Sequence, residues 1–450
     1  MFVSAGSEAL ALAYPPPHRG TSSSVMGRPT ELYAAGSNGR GQLAIGHSQD
    51  AHTFTSCKFA GRESSTSSSA ATADSPDIIS IVGGGNHTLV LLSPVDDLTS
   101  STHHLEVWGC GEGAKGQLGP AYVSDGGRDN EGTMIFKPLI LPLEEQGLHG
   151  YTISQVAACW ETSLFVLTKP GQHDLLISMG GDDFGDLGIG GLRSKKAPFH
   201  VVDFSHIVGS TPHRLSITSI TAGPHHAIAL LRADDKQHVV GWGTARHGQL
   251  GPLFAPSGRA LPFSPSPVAI DLPIDVQLDP VHSIRAGNQH SLFLHASGCV
   301  SAFGSGAKGQ LQGLQTARDV RAIDCSWNGS YLRTPVGLLS AGANARGQLG
   351  RDDASVVALA AARFPGDVHV LDFACGSEHV LAMVESQGMT EVWGWGWNEH
   401  GNLGTGSLSD VNVPVKIWSP ATTESGRRTG DAVGVWAGCG TSWISCSKAN

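Results

Sequence analysis

The chain has 450 residues, of which 59 are glycine and only 15% are charged. That glycine share is about twice the ordinary usage. A net charge of −10 with no lysine-arginine run excludes the basic footprint that direct nucleic-acid binding requires. No stretch approaches the roughly 18 apolar residues of a membrane span, and MFVSAGSEALALAY has no basic region before its apolar patch, so no secretory signal is expected.

In chain order, residues 1–30, with PPP at 15–17 and SSS at 22–24, read as a flexible tail, and 31–446 as one domain. From Tyr33 onward a short apolar strand runs into the same glycine-rich turn seven times. The copies are SNGRGQLAIG, GEGAKGQLG after Trp108, GGDDFGDLGIG after Met179, GTARHGQLG after Trp242, GSGAKGQLQG after Phe303, GANARGQLG after Ala341 and GWNEHGNLGTG after Trp395. Gly41, Gly116, Gly185, Gly248, Gly309, Gly347 and Gly401 stand where these turns need positive φ.

Between the turns lies a second recurring element: IVGGGNHTLVLL, VAACWETSLFVL, ITAGPHHAIALL, IRAGNQHSLFL, AIDCSWNGSYL, FACGSEHVLAMV and VWAGCGTSWIS. Each is a β-type run, a small residue or cysteine, a polar turn and a second run with period-2 alternation. A unit of this kind cannot bury its apolar face alone, so the repeat predicts an all-β, seven-bladed β-propeller of four-stranded blades. The chain enters at the late strand Leu32-Tyr33 and leaves at the early strand Val435–Ser445, which predicts closure by pairing of the N- and C-terminal strands. Three loop insertions interrupt the rhythm, at 62–77 in the first blade, 121–133 in the second and 252–267 in the fourth.

Catalytic patterns are missing or degenerate. The Gly111–Lys115 and Gly304–Lys308 runs imitate part of a phosphate loop but lack the following Ser or Thr and a helix to hold phosphate. There is no GxSxG, HExxH or CxxC. Cys159, Cys325, Cys375 and Cys439 fall at the small-residue position and read as small hydrophobes in a reducing compartment. His87, His226, His290 and His379 recur three residues after a glycine, where each is expected to hydrogen-bond its own blade's turn, with Thr162, Asn328 and Thr441 in the same place elsewhere. No catalytic residue, metal site or cofactor is therefore expected. Six of the ten tryptophans lie from Trp393 onward. Because tryptophan is enriched at binding hot spots, Trp395, Trp397, Glu399, His400, Trp436 and Trp443 form the candidate partner-binding patch, whereas Trp393 reads as packing.

The paired elements resemble those of the family named for the regulator of chromosome condensation, over residues 31–446. Within it, LYAAGSNGRGQLAIGH, ACWETS, VWGWGWNEHGNLG and WAGCGTSWI resemble the fungal alpha-tubulin suppressor, or killer-toxin-insensitivity, group. The resemblance implies a non-enzymatic adaptor that forms a heterodimer with a small CSL-type zinc- or iron-binding electron carrier. Through that partner it would support Elongator-dependent wobble-uridine modification of tRNA and diphthamide synthesis, in the cytoplasm, with a nuclear pool left open. The founding member's role implies the alternative, nucleotide exchange on a Ran-like GTPase; a generic propeller scaffold is a further one.

Overall fold

The computed structural model describes residues 30–61, 76–93, 104–122, 133–191, 197–209, 213–352, 358–420 and 429–448. Residues 1–29 of the expected tail, 62–75 of the first insertion and 123–132 of the second lie outside them. The described chain opens with β1 (Thr30–Gly36) and β2 (Ala51–Ser56). Blade 2 follows as β3 (Ile78–Gly83), β4 (His87–Leu92), β5 (Glu106–Gly111) and β6 (Thr133–Pro138). Blade 3 is β7 (Thr152–Ala158), β8 (Thr162–Thr168), β9 (Leu175–Gly180) and β10 (His200–Val201). Blade 4 is β11 (Leu215–Ala222), β12 (His226–Ala233), β13 (Lys236–Thr244) and β14 (Phe263–Ala269). Blade 5 is β15 (Val281–Ala286), β16 (His290–His295) and β17 (Val300–Gly304). Blade 6 is β18 (Ala322–Ser326), β19 (Gly329–Thr334), β20 (Gly337–Gly342) and β21 (Ala360–Ala361), and blade 7 is β22 (His369–Cys375), β23 (His379–Ser386), β24 (Met389–Gly396) and β25 (Val411–Trp418). The last two strands, β26 (Thr429–Ala437) and β27 (Thr441–Lys448), join the first two in the sheet order β2-β1-β27-β26, which is blade 1.

The fold is thus an all-β propeller of seven antiparallel sheets, closed by the pairing of β1 with β27 from Thr30↔Ser447 to Gly36↔Thr441. The first strand of every blade touches the first strands of both neighbours, so these seven strands line the axis. Six sheets have four strands, but blade 5 has three among the described residues. Its connection to the next blade is the shortest of the seven, and it holds only the turn and a 3-10 helix at Leu314–Thr316. The expected insertion at 252–267 is a loop bridged at Phe254↔Ala260 up to Pro262, and its remainder begins the fourth strand β14.

The second strands do not alternate. HTLVLL and HSLFLH are buried at every position, because both faces of a blade pack on neighbours. Seven core clusters result, each shared by two consecutive blades; Leu32 and Trp443 of blade 1 meet Val90 and Trp108 of blade 2, for example.

Polar bonds across these seams explain the repeated residues. The carbonyl of the turn Gln accepts from the next blade: Gln42 from Thr88 Oγ1 at 2.8 Å, Gln117 from Ser163 Oγ at 2.7 Å, Gln249 from Ser291 Oγ at 2.8 Å and Gln310 from Ser330 Oγ at 2.7 Å. Asp186 and Gln348, at the same position, accept from Trp242 Nε1 and Trp395 Nε1, both at 2.9 Å. The turn glycines have φ of +79° at Gly41, +92° at Gly116, +79° at Gly185, +78° at Gly248, +83° at Gly309, +74° at Gly347 and +75° at Gly401. A Cβ on Gly347 would lie 2.5 Å from Asn412 Cα of the next blade, so the absent side chain is what lets the turn rest on its neighbour's fourth strand.

The repeated histidines also bond across the seam, and not to their own turns. Nε2 of His87 lies 3.0 Å from Ser163 Oγ, that of His226 3.0 Å from Ser291 Oγ and that of His379 2.9 Å from Ser442 Oγ. Ser163 and Ser291 already donate to a turn carbonyl, so His87 and His226 must be the donors and carry their proton on Nε2. The ring nitrogens of His290 make no such bond. In blade 6 the equivalent residue is Gly329, paired with Gly342 as His379 is with Gly396, so the register expected at Asn328 is off by one.

Two outcomes follow from this construction. Deleting residues 436–450 removes β27 and leaves β1 paired on one edge alone, with β2, and thermal unfolding followed by circular dichroism should lose its cooperative transition. Burial also pushes His87, His290 and His379 down to about 4 and His226 to about 3, the last helped by His290 and His225. An unfolded histidine titrates near 6.5, so the unfolded chain binds more protons between there and about 4, and stability falls as pH drops through that window. The four together give a slope of up to about 5 kcal/mol per pH unit. Urea unfolding at stepped pH should show it, and His226→Gln should lower it by about a quarter.

Candidate interaction face

In every blade the turn between the first two strands and the glycine-rich turn after the third emerge on the same side of the ring. The inner turns are laced around the axis by backbone bonds. Gly85 N–H donates to Trp160 O at 2.8 Å, Trp160 to Pro224 O at 2.8 Å, Asn288 to Trp327 O at 3.1 Å, Trp327 to Ser377 O at 2.8 Å and Ser377 to Gly438 O at 3.2 Å. The lacing is interrupted at Pro224, which has no N–H to pass on. The half-buried rings of Trp160 and Trp327, from blades on opposite sides, meet with centroids 6.2 Å apart over the axis.

Around this centre, the residue before the turn glycine is Arg40, Lys115, His247, Lys308, Arg346 or His400 in six blades. Several reach carboxylates of the following blade. Arg40 Nε is 3.7 Å from Glu112, Lys115 Nζ 3.6 Å from Glu161, and Arg346 Nη1 3.2 Å from Asp410. The cations stand out more: Lys115 is 52% exposed against 33% for Glu161, and Arg346 45% against 26% for Asp410. Exposed pairs of this kind contribute about 1 kcal/mol or less each. Their effect is a set of partly exposed basic side chains repeated at one turn position on a chain that is acidic overall, interspersed with exposed carboxylates such as Glu399, 3.9 Å from Arg346.

The expected tryptophan patch divides. Trp395 and Trp443 are wholly buried, which rules them out as contact residues: Trp395 fills the seam between blades 6 and 7, and Trp443 that between blades 1 and 2. Trp436 is half-buried on the axial strand β26, opposite Trp443. Trp397, Glu399 and His400 do come together at the surface. The Trp397 indole donates to Glu399 Oε2 at 3.1 Å and meets the His400 ring edge-on at 5.2 Å, and His400 Nδ1 lies 2.7 Å from Asp50 Oδ2 across the closing seam. Trp393 is buried, with its indole N–H on Glu391.

The eight cysteines are free. Burial holds the Cys159, Cys325 and Cys375 thiols well above their usual range and Cys439 at about 11, so none is a ready nucleophile. Among the described residues no group of three or more His, Cys, Asp or Glu side chains could hold a metal ion, and no helix is long and apolar enough to cross a membrane.

The basic ring and the axial tryptophan pair were not singled out in the sequence. The first is visible there as the residue before each turn glycine; the second depends on two turns far apart in the chain meeting over the axis.

Residues 391–442 and 281–310 match the regulator of chromosome condensation (RCC1) repeat. The chain is 26% identical to the ultraviolet-B receptor UVR8 of Arabidopsis thaliana over 90% of its own length and 81% of that protein. It is 27% identical to the secretion-regulating guanine nucleotide exchange factor of Bos taurus, again over 90% and 81%. The crystal structure of Prp20p from Saccharomyces cerevisiae superposes with a TM-score of 0.67 at 19% identity, covering 95% of this chain and 93% of that one, a likeness of fold.

Replacing Trp395 by alanine should cost about 3–5 kcal/mol, since it opens a buried seam; the Gln348 carbonyl keeps its bond from Tyr331 Oη at 2.8 Å. Trp397→Ala should cost about 1 kcal/mol or less. Urea titrations of the two variants check the division between core and surface. The chain is a seven-bladed propeller, two segments of which, residues 281–310 and 391–442, match the RCC1 repeat.

Proposed function

We propose that this propeller is a non-enzymatic adaptor that uses the face carrying the glycine-rich turns to hold a small CSL-type zinc- or iron-binding electron carrier. Through that partner it supports Elongator-dependent wobble-uridine modification and diphthamide synthesis. The observation that carries the reading is the set of outward cations repeated on one face of a chain with net charge −10. Such a surface suits a small acidic protein and steers its approach. Trp397 and His400 on the same face offer an aromatic anchor. The metal belongs to the partner. The identity of that partner rests on the killer-toxin-insensitivity resemblance.

The reading is tested by calorimetric titration with the metalloprotein. One-to-one binding tighter than about 1 μM is expected, weakening at least tenfold in Lys115→Glu/Lys308→Glu while the melting temperature holds. Absence of heat and of co-elution overturns it. A second reading, nucleotide exchange on a small GTPase, is favoured by the 27% identity to a protein named as an exchange factor over most of both chains. Acceleration of labelled GDP release from a Ran-like GTPase at micromolar propeller would support that alternative, and a flat trace would remove it.

A further inference from the structure

The turn of blade 3 departs from all the others at two positions. Where six turns place a cation or histidine before the glycine, it has Phe184, and where five place glutamine after the glycine, it has Asp186. In those five the Gln Oε1 turns back to accept the backbone N–H two residues earlier, at 2.8–3.0 Å from Arg40, Lys115, His247, Lys308 and Arg346. Aspartate is one methylene shorter, and Asp186 makes no such bond.

The space that results is a cleft of about 270 Å³ between blades 3 and 4, walled by Trp160, Phe184 and His225 and by the carboxylates of Glu161, Asp183 and Asp186. Asp186 is only 4% exposed, yet its Oδ1 is buried without a hydrogen-bond partner. Its Oδ2 is 3.7 Å from His225 Nδ1, beyond hydrogen-bond reach. A buried carboxylate oxygen with no donor is costly unless a ligand supplies one. Glu161 is partly matched by Lys115, and Arg246 covers one side of Phe184 at 5.8 Å, so the charge without a fixed cation belongs to Asp183 and to Asp186, whose neighbour His225 Nδ1 is likewise buried without a hydrogen-bond partner.

We propose that this cleft receives an arginine side chain of a protein partner, its guanidinium hydrogen-bonded to Asp186 and stacked on Trp160. The volume suits a side-chain head group and is below that of most small-molecule or cofactor pockets. The aromatic walls favour a cation, and the planar fork of guanidinium combines stacking with charge-assisted donation. A quaternary ammonium would fill the cage but leave Oδ1 without a donor. The inference rests on the glycine-rich-turn face being the interaction surface, as proposed above, but not on the partner's identity.

The test is calorimetric titration of the full chain with the peptide acetyl-Gly-Arg-Gly-amide. Parallel titrations use the lysine peptide, tetramethylammonium and zinc chloride. Saturable binding of the arginine peptide at about 1 mM or tighter is expected, several-fold stronger than that of the lysine peptide. Asp186→Asn should weaken it at least tenfold. Asp186→Gln restores the bond of the other turns, so it should abolish binding while melting at or above the wild-type temperature. No saturation by 20 mM arginine peptide (a limit of about 20 times that dissociation constant), equal binding by Asp186→Asn, or preference for tetramethylammonium or zinc would overturn the proposal. Loss of peptide binding in Asp186→Gln with metalloprotein binding intact would uphold the cleft and separate it from the adaptor interface. The reverse result would overturn the cleft alone.

Discussion

The structure depends on a buried carbonyl that six of the seven turns present to the next blade. A glycine-rich turn leaves a carbonyl buried against the neighbouring blade, and an unpaired buried carbonyl is costly. Six turn carbonyls find a donor in the next blade, from a serine, a threonine or an indole. Histidine adds a second bond to the same hydroxyls at Ser163 and Ser291. No blade is therefore complete alone, and the positions that recur along the chain are largely those that satisfy a neighbour. Apolar packing supplies most of the stabilisation and the carbonyls fix the register in which it occurs.

This explains what could be read from the sequence and what could not. Blade number, strand order and ring closure were legible because each rests on local spacing repeated seven times. The destination of His87 was not, since its partner Ser163 lies in the following repeat and spacing alone does not say which blade a side chain faces. Trp395 and Trp397 show the same limit. They are two residues apart at the end of a strand, where one points into the seam and the other leaves it. Their shared clustering said nothing of burial. Blade 5 breaks the pattern because too little chain separates its third strand from the next blade, a length that could have been counted.

The face that emerges combines two features. The outward cations are a repeated property, present at the same turn position in most blades, and they set a diffuse field. Asp186 and Phe184 are singular, and they mark one seam as different from the rest. Repetition builds a rigid disc and departure from repetition gives it an address. A binding surface on such a scaffold is found by asking which copy fails to match the others.

The closure of blade 1 also bears on how the protein is made. Strands β1 and β2 leave the ribosome first among the described strands, but the partner of β1 is β27, the last of them. Until β27 emerges, one edge of the opening hairpin carries unpaired backbone and its apolar face lacks the cover of Trp443. Blades 2 to 7 can stack as they are synthesised, because their strands are consecutive. The ring therefore spends its synthesis as an open arc with a waiting hairpin, whose open edge and apolar face are the kind of surface that makes incomplete chains prone to aggregate.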